Sequence, residues 1–121
     1  MFPYAEKLNN YWTGYYTSRA NSKFQVRRGQ ANLHAANQFF VMKALNQSTS
    51  SDQLKDIRHA SNSMLNSLGV YQHHDGITGT AKDHVANNYY KHLKESMETN
   101  NEEYAKILAQ IAEDSLGLKL K

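Results

Sequence analysis

Apolar residues recur at three- and four-residue steps through most of this 121-residue chain. A strand cannot use that period, whereas an amphipathic helix buries one side chain per turn with it. From Ser22, the residues Phe24, Ala31, Ala35, Phe39 and Met42 fall on one face, with Leu33, Ala36 and Phe40 widening the stripe to an adjoining one. The spacing predicts a helix over 18–45. Gly29 interrupts it at a cost of about 1 kcal/mol relative to Ala, which marks either a bend or a close helix contact. The polar run from Asn46 to Ser51 breaks the pattern. Ser51 then reads as an N-cap, with Asp52 set against the helix dipole. Leu54, Ile57, Ser61, Met64, Leu65 and Leu68 form the buried face of a second helix ending near Gly69, and Arg58, Asn62 and Asn66 should be wet.

Thr80 and Asp83 have the spacing of a capping box that opens a third helix. Val85, Tyr89, Leu93, Met97, Tyr104, Ile107, Leu108 and Ile111 carry its stripe, through a polar middle at 99–103, to about Ser115, with Gly117 ending it. Three stripes that must cover one another predict an all-α fold, an up-down-up three-helix bundle over residues 22–121. Residues 1–21 lack the period and read as an irregular or extended aromatic arm. Tyr supplies eight of the thirteen aromatic residues, and Trp12 and several of these tyrosines lie in that arm. Such rings either pack along the bundle or offer a flat stacking surface for a carbohydrate or a base.

The length suits a single domain, 1–121. Fourteen Lys and Arg against eleven Asp and Glu give a net charge of +3, scattered rather than gathered into a stripe, which argues against nucleic acid as a partner. Without cysteine there are no disulfides and no thiolate metal sites. Neither a secretory leader nor an apolar run long enough to span a membrane is present, so this segment is expected to be soluble and to make no membrane contact. Met1 standing before Phe2-Pro3-Tyr4 suggests a piece excised from a longer protein.

The joint between the second and third helices, Tyr71 to Asp83, concentrates the chemistry. His73, His74 and Asp75 are ligand types suited to zinc, and Gly76 and Gly79 allow tight turns that hold such side chains at a helix terminus. Neighbouring residues in an extended backbone point to opposite sides, so His73 and His74 are not expected to bind one ion together: one is a candidate ligand and the other serves structure. His34, His59, His84 and His92 add no zincin-type i, i+4 pair and read as surface or partly buried side chains. A complete metal or catalytic constellation is therefore missing.

The run Gln72-His73-His74-Asp75-Gly76-Ile77-Thr78-Gly79-Thr80-Ala81-Lys82, continued by His84-Val85-Ala86-Asn87-Asn88-Tyr89, resembles the signature of family 38 glycoside hydrolases, the class II α-mannosidases. Phe2-Pro3-Tyr4-Ala5 and Tyr11-Trp12-Thr13-Gly14-Tyr15-Tyr16-Thr17-Ser18-Arg19 resemble the segment that leads into the middle helical domain of those enzymes. The resemblance spans residues 2 to about 92 and implies a three-helix middle domain between an α/β catalytic domain and β-rich domains. It implies that His74 is a zinc ligand, that Asp75 hydrogen-bonds sugar hydroxyls and that Trp12 walls the mannose pocket. No catalytic residue is implied in this chain, because the nucleophile, the acid/base and the other zinc ligands belong to the preceding domain. The implied parent is a retaining α-mannosidase acting on α-mannosides or N-glycans in the lysosomal or Golgi lumen, and the isolated chain is expected to be inactive. Ala20 where relatives often have proline, Glu6 for a usual Asp, and Asn88 where some have Asp are the departures. The alternative from residue chemistry alone is a stand-alone helical interaction or carbohydrate-binding module.

Overall fold

Among the described residues, three helices carry the computed structural model: α1 (Ala20–Ala44), α2 (Ser51–Tyr71) and α3 (Asp83–Leu116). It describes residues 4–12 and 14–117, so Phe2, Pro3 and Thr13 of the aromatic lead-in lie outside the described residues. Each helix touches the other two, as an up-down-up bundle requires. The arm is more regular than the sequence suggests. Strand β1 (Ala5–Lys7) pairs antiparallel with β2 (Asn10–Tyr11) through a turn at Leu8 and Asn9, and Asn9 takes the positive φ of 63° that closes it.

The helix ends correct four details. α1 begins two residues later than expected, after Arg19, whose backbone is left-handed at φ 49° and ψ 55°. That conformation costs a non-glycine residue about 1–2 kcal/mol. α2 is capped by Ser50 rather than Ser51, the Ser50 hydroxyl accepting from the Gln53 N–H at 3.2 Å. The helix also runs through Gly69 to Tyr71, because Tyr71 buries its ring in the core and holds one more half-turn in register. α3 follows Lys82 with no side-chain cap, so the Thr80–Asp83 capping box does not form. Gly117 ends α3 in the left-handed conformation, as its position predicts.

The buried line of α1 is Val26, Gly29, Leu33, Ala36 and Phe40. It is the adjoining face of the sequence reading, and Phe24 and Met42 of the expected face are 59% and 58% exposed. Gly29 makes the difference: a Cβ there would stand 2.7 Å from Met64 Cε and 3.4 Å from side-chain atoms of Leu68 and Leu93. It marks a close helix contact, and the residues in line with it, not the bulkier Phe24, turn inward. On α2 the buried line is Ile57, Ala60, Met64, Leu68 and Tyr71. Leu65 of the expected face is exposed, while Arg58, Asn62 and Asn66 are wet as expected.

Two apolar clusters fill the interior. Val26, Leu33, Met64, Leu68, Tyr71 and Leu93 pack at the end where α2 passes into α3. Ala36, Phe40, Ile57, Ala60 and Ile107 pack towards the α1–α2 connection. The polar middle of α3 is divided: Asn100 and Glu103, with Ser96 a turn earlier, are buried between Leu93 and Ile107, while Asn101 and Glu102 face solvent.

Candidate functional site

The connection from α2 to α3 folds back on itself. After Tyr71, the N–H groups of Gly76 and Ile77 both donate to the His73 carbonyl, Gly79 N–H donates to Gly76 O and Ala81 N–H donates to Asp75 O, at 2.8–3.2 Å. An extended backbone would separate His73 from His74, and this turned one does not. Their rings lie 4.2 Å apart at 48°, and both Nε2 atoms face Asp75 Oδ2, at 3.5 Å from His73 and 3.4 Å from His74. One ligand atom from each of the three residues falls within 4.8 Å of the others. The expectation that the two histidines diverge is thus corrected by the turn.

The other carboxylate oxygen, Asp75 Oδ1, accepts from the Thr80 hydroxyl at 2.9 Å. Thr80 in turn lies 2.9 Å from Thr78 Oγ1, whose hydroxyl also donates to the His74 carbonyl. The Thr80 hydrogen bond is the largest influence on the Asp75 carboxyl; with the nearby His74 and His73 imidazoles it outweighs the opposing desolvation and holds the carboxyl below the usual aspartate range. Asp75 therefore stays a fixed carboxylate. His74 is the outermost member, its side chain 82% exposed.

The donor set suits a zinc ion. Ligands at about 2 Å in a tetrahedron stand roughly 3–3.5 Å apart, which the two His–Asp separations of 3.4 and 3.5 Å match, with all three ligand atoms within 4.8 Å of one another. Three groups from one turn leave at least one position to be filled from elsewhere.

Two cations from the start of α1 reach this turn. Arg19 donates to the carbonyls of Gly79 and Ala81, the latter at 2.7 Å, and to Asp83 Oδ1 at 2.6 Å. The Lys23 ammonium donates to the carbonyls of Ser18, Thr78 at 3.1 Å and Gly14 at 3.4 Å. Burial, with the adjacent Arg19 charge, lowers the Lys23 pKa from its ordinary value. The approach of the two chain segments needs small residues. A Cβ at Gly14 would stand 2.5 Å from Thr80 Cγ2 and 2.8 Å from Thr78 O, and Gly79, at φ 77°, would place one 2.7 Å from Ser18 O.

The remaining sequence candidates fall as follows. Trp12 stands on the arm, 65% exposed and edge-on to Tyr4 at 5.7 Å between ring centres. It is two residues from Gly14, hence at the same end of the bundle as the turn, without being one of the groups gathered on Asp75. His34, His59, His84 and His92 are all exposed. Sequence reasoning missed Arg19 and Lys23 as partners of the turn. The only hint was their place beside the aromatic lead-in, and no spacing rule connects positions some sixty residues apart.

Comparison with known proteins places this geometry in context. Residues 10–111 match the family described as the alpha mannosidase middle domain. A lysosomal alpha-mannosidase of Dictyostelium discoideum is 40% identical over 106 residues, 84% of this chain and 10% of that protein. Alpha-mannosidase 2 of Homo sapiens is 36% identical over 104 residues, 80% of this chain and 9% of that protein. A probable alpha-mannosidase of Arabidopsis thaliana is 43% identical over 93 residues, 76% of this chain and 8% of that protein. The chain thus spans about a tenth of the length of the curated relatives it matches. No solved structure matches it.

Proposed function

Because the chain belongs to the α-mannosidase middle-domain family, we propose that it is the middle domain, residues 1–121, of a zinc-dependent retaining α-mannosidase. In this reading His74 is the zinc ligand contributed by the domain, Asp75 accepts hydrogen bonds from sugar hydroxyls, and Trp12 forms one wall of the mannose pocket. The observation that supports it most directly is the His73–His74–Asp75 group, two exposed imidazoles on a half-buried carboxylate, which lies inside the matched stretch.

The chemistry follows from the geometry. When bound, the ion supplies a positive centre that grips hydroxyls of the terminal mannose. His74 offers its Nε2 to the ion from the outermost edge of the turn. The Thr80 hydroxyl occupies Asp75 Oδ1 and so keeps Oδ2 turned to the side of the two imidazoles, where a sugar hydroxyl would meet it. Retaining hydrolysis needs two carboxylates about 5–5.5 Å apart on either side of the glycosidic bond. Asp75 is engaged with the imidazoles and Thr80, and the nucleophile and acid/base are assigned to the preceding α/β catalytic domain of the parent. The isolated chain is accordingly inactive. The parent acts on α-mannosides or N-glycans, with β-rich domains following, in the lysosomal or Golgi lumen.

The exposed rings of Tyr4, Trp12 and Tyr16 favour a second reading, a carbohydrate-binding module that works alone. The two separate cleanly. In the full-length parent, His74→Ala should abolish hydrolysis of an aryl α-mannoside and reduce bound zinc, while the 121-residue chain should hydrolyse none. Undiminished activity and zinc content in that variant would overturn the site assignment. Mannoside binding by the isolated chain, lost on Trp12→Ala, would favour the second reading.

A further inference from the structure

We propose that Arg19 and Lys23 are positioning residues for the His73–His74–Asp75 turn, bolting it to the entrance of α1 so that the two imidazoles converge on one carboxylate. The proposal rests on the site reading above for its functional meaning and on geometry alone for its structural content.

The turn by itself is weakly built. It closes with four backbone hydrogen bonds and the two threonine hydroxyls, and its apolar anchor is Ile77, partly buried against the core cluster near Tyr71. Backbone hydrogen bonds in a short connection between helices open more readily than those within a packed helix. Arg19 and Lys23 supply what the turn lacks. Between them they engage the carbonyls of Thr78, Gly79 and Ala81, three of the four residues that follow Ile77, together with Asp83 at the head of α3. The planar guanidinium suits the Arg19 site, because its fork addresses several acceptors at once where an ammonium presents a point charge. Lys23 completes the link by gripping Gly14 and Ser18 on the arm along with Thr78.

The backbone of Arg19 supports a positioning role. It occupies the left-handed region at φ 49°, a conformation that persists in a non-glycine residue only where its surroundings over-determine it. Here those surroundings are the guanidinium contacts, with the side chain 28% exposed. The same contacts place Gly14 and Gly79 against their neighbours, so arm and turn are fixed by one device.

The test uses the 121-residue chain without metal or substrate. Amide hydrogen exchange is followed at Gly76, Ile77, Gly79 and Ala81, the donors that close the turn, and at Leu93 and Ile107 in the core, while a nuclear Overhauser contact reports the approach of the His73 and His74 rings. In Arg19→Ala/Lys23→Ala the four turn amides should exchange about tenfold faster or more and the ring contact should weaken, with the two core amides unchanged. Arg19→Lys should restore part of the protection, since it keeps the charge and loses the fork. Wild-type exchange at the turn overturns the proposal, and so does an equal acceleration at turn and core, which would make both residues general stabilisers. His74→Ala in the parent tests the site reading independently: its failure leaves the positioning result standing, and a negative exchange result leaves the site reading standing.

Discussion

Thr80 shows how one hydroxyl has a single best use. At the spacing of a capping box it had two acceptor or donor roles open to it, the α3 amides or a nearby carboxylate, and the turned backbone brings Asp75 Oδ1 to 2.9 Å first. α3 begins without a side-chain cap as a result. Two consequences are measurable. Thr80→Val should leave exchange of the first α3 amides, Val85 and Ala86, unchanged, because these donate to the Lys82 carbonyl rather than to Thr80. The same change should raise the Asp75 pKa towards its ordinary value, since the Thr80 hydrogen bond is the largest influence lowering it. A lowered carboxyl pKa contributes stability above the unfolded value, near pH 4, and loses it as the pH falls through the folded value. Removing the hydroxyl therefore narrows the acid range over which the turn is held, and a side-chain carboxyl NMR titration reads it directly. An Asp75 titration that does not move in Thr80→Val would show that the imidazoles alone set it.

At the scale of the element, α1 separates what the period of a sequence tells from what it does not. The helix exists because the three- and four-residue steps are there, but two adjacent stripes satisfied the same period. Only the facing surface of α2 and α3, which brings Met64, Leu68 and Leu93 up to Gly29, selects between them. The contrast predicts unequal costs for two chemically identical substitutions. Phe40 is 2% exposed, and Phe40→Ala should cost about 3–5 kcal/mol. Phe24 makes a surface contact with Arg28, and Phe24→Ala should stay within about 0.5 kcal/mol. Urea unfolding of both variants checks the assignment, and similar costs would return Phe24 to the core. The three helices, their order, Gly117 as the stop and the location of the His-His-Asp group were all readable before the structure. Cap positions shifted by a residue because Ser50 and Ser51 are equally good caps by type. The folded-back turn was unreadable because it depends on cations outside it.

Across the whole molecule, the interior is two apolar cores joined by a polar layer. Leu93 belongs to one cluster and Ile107 to the other, and the α3 residues buried between them are Ser96, Asn100 and Glu103. Nearby, Ser61 of α2 donates to Asn37 of α1 at 2.8 Å, and Lys106 reaches Glu103 at 3.3 Å. Asn100 differs from these. Its side chain is fully buried, and neither its amide nitrogen nor its oxygen has a partner among the described residues. A buried, unpartnered polar group costs about 1–3 kcal/mol, whereas an apolar side chain of similar shape carries no such penalty. Asn100→Leu should therefore stabilise the chain, by about 1–2 kcal/mol, seen as a higher urea midpoint at unchanged slope. Asn100→Asp sharpens the test, because an uncompensated charge at the same place should cost about 3–5 kcal/mol. A loss of stability in Asn100→Leu would mean that the amide is fully engaged in the folded chain. A gain would mean that the middle of α3 gives up stability to keep a polar layer, and a polar layer fixes how three similar stripes align. That alignment is what sets the α2–α3 turn against Arg19 and Lys23, so Asn100→Leu should also be followed at the turn amides: faster exchange there in a more stable chain would link the layer to the placement of His73, His74 and Asp75.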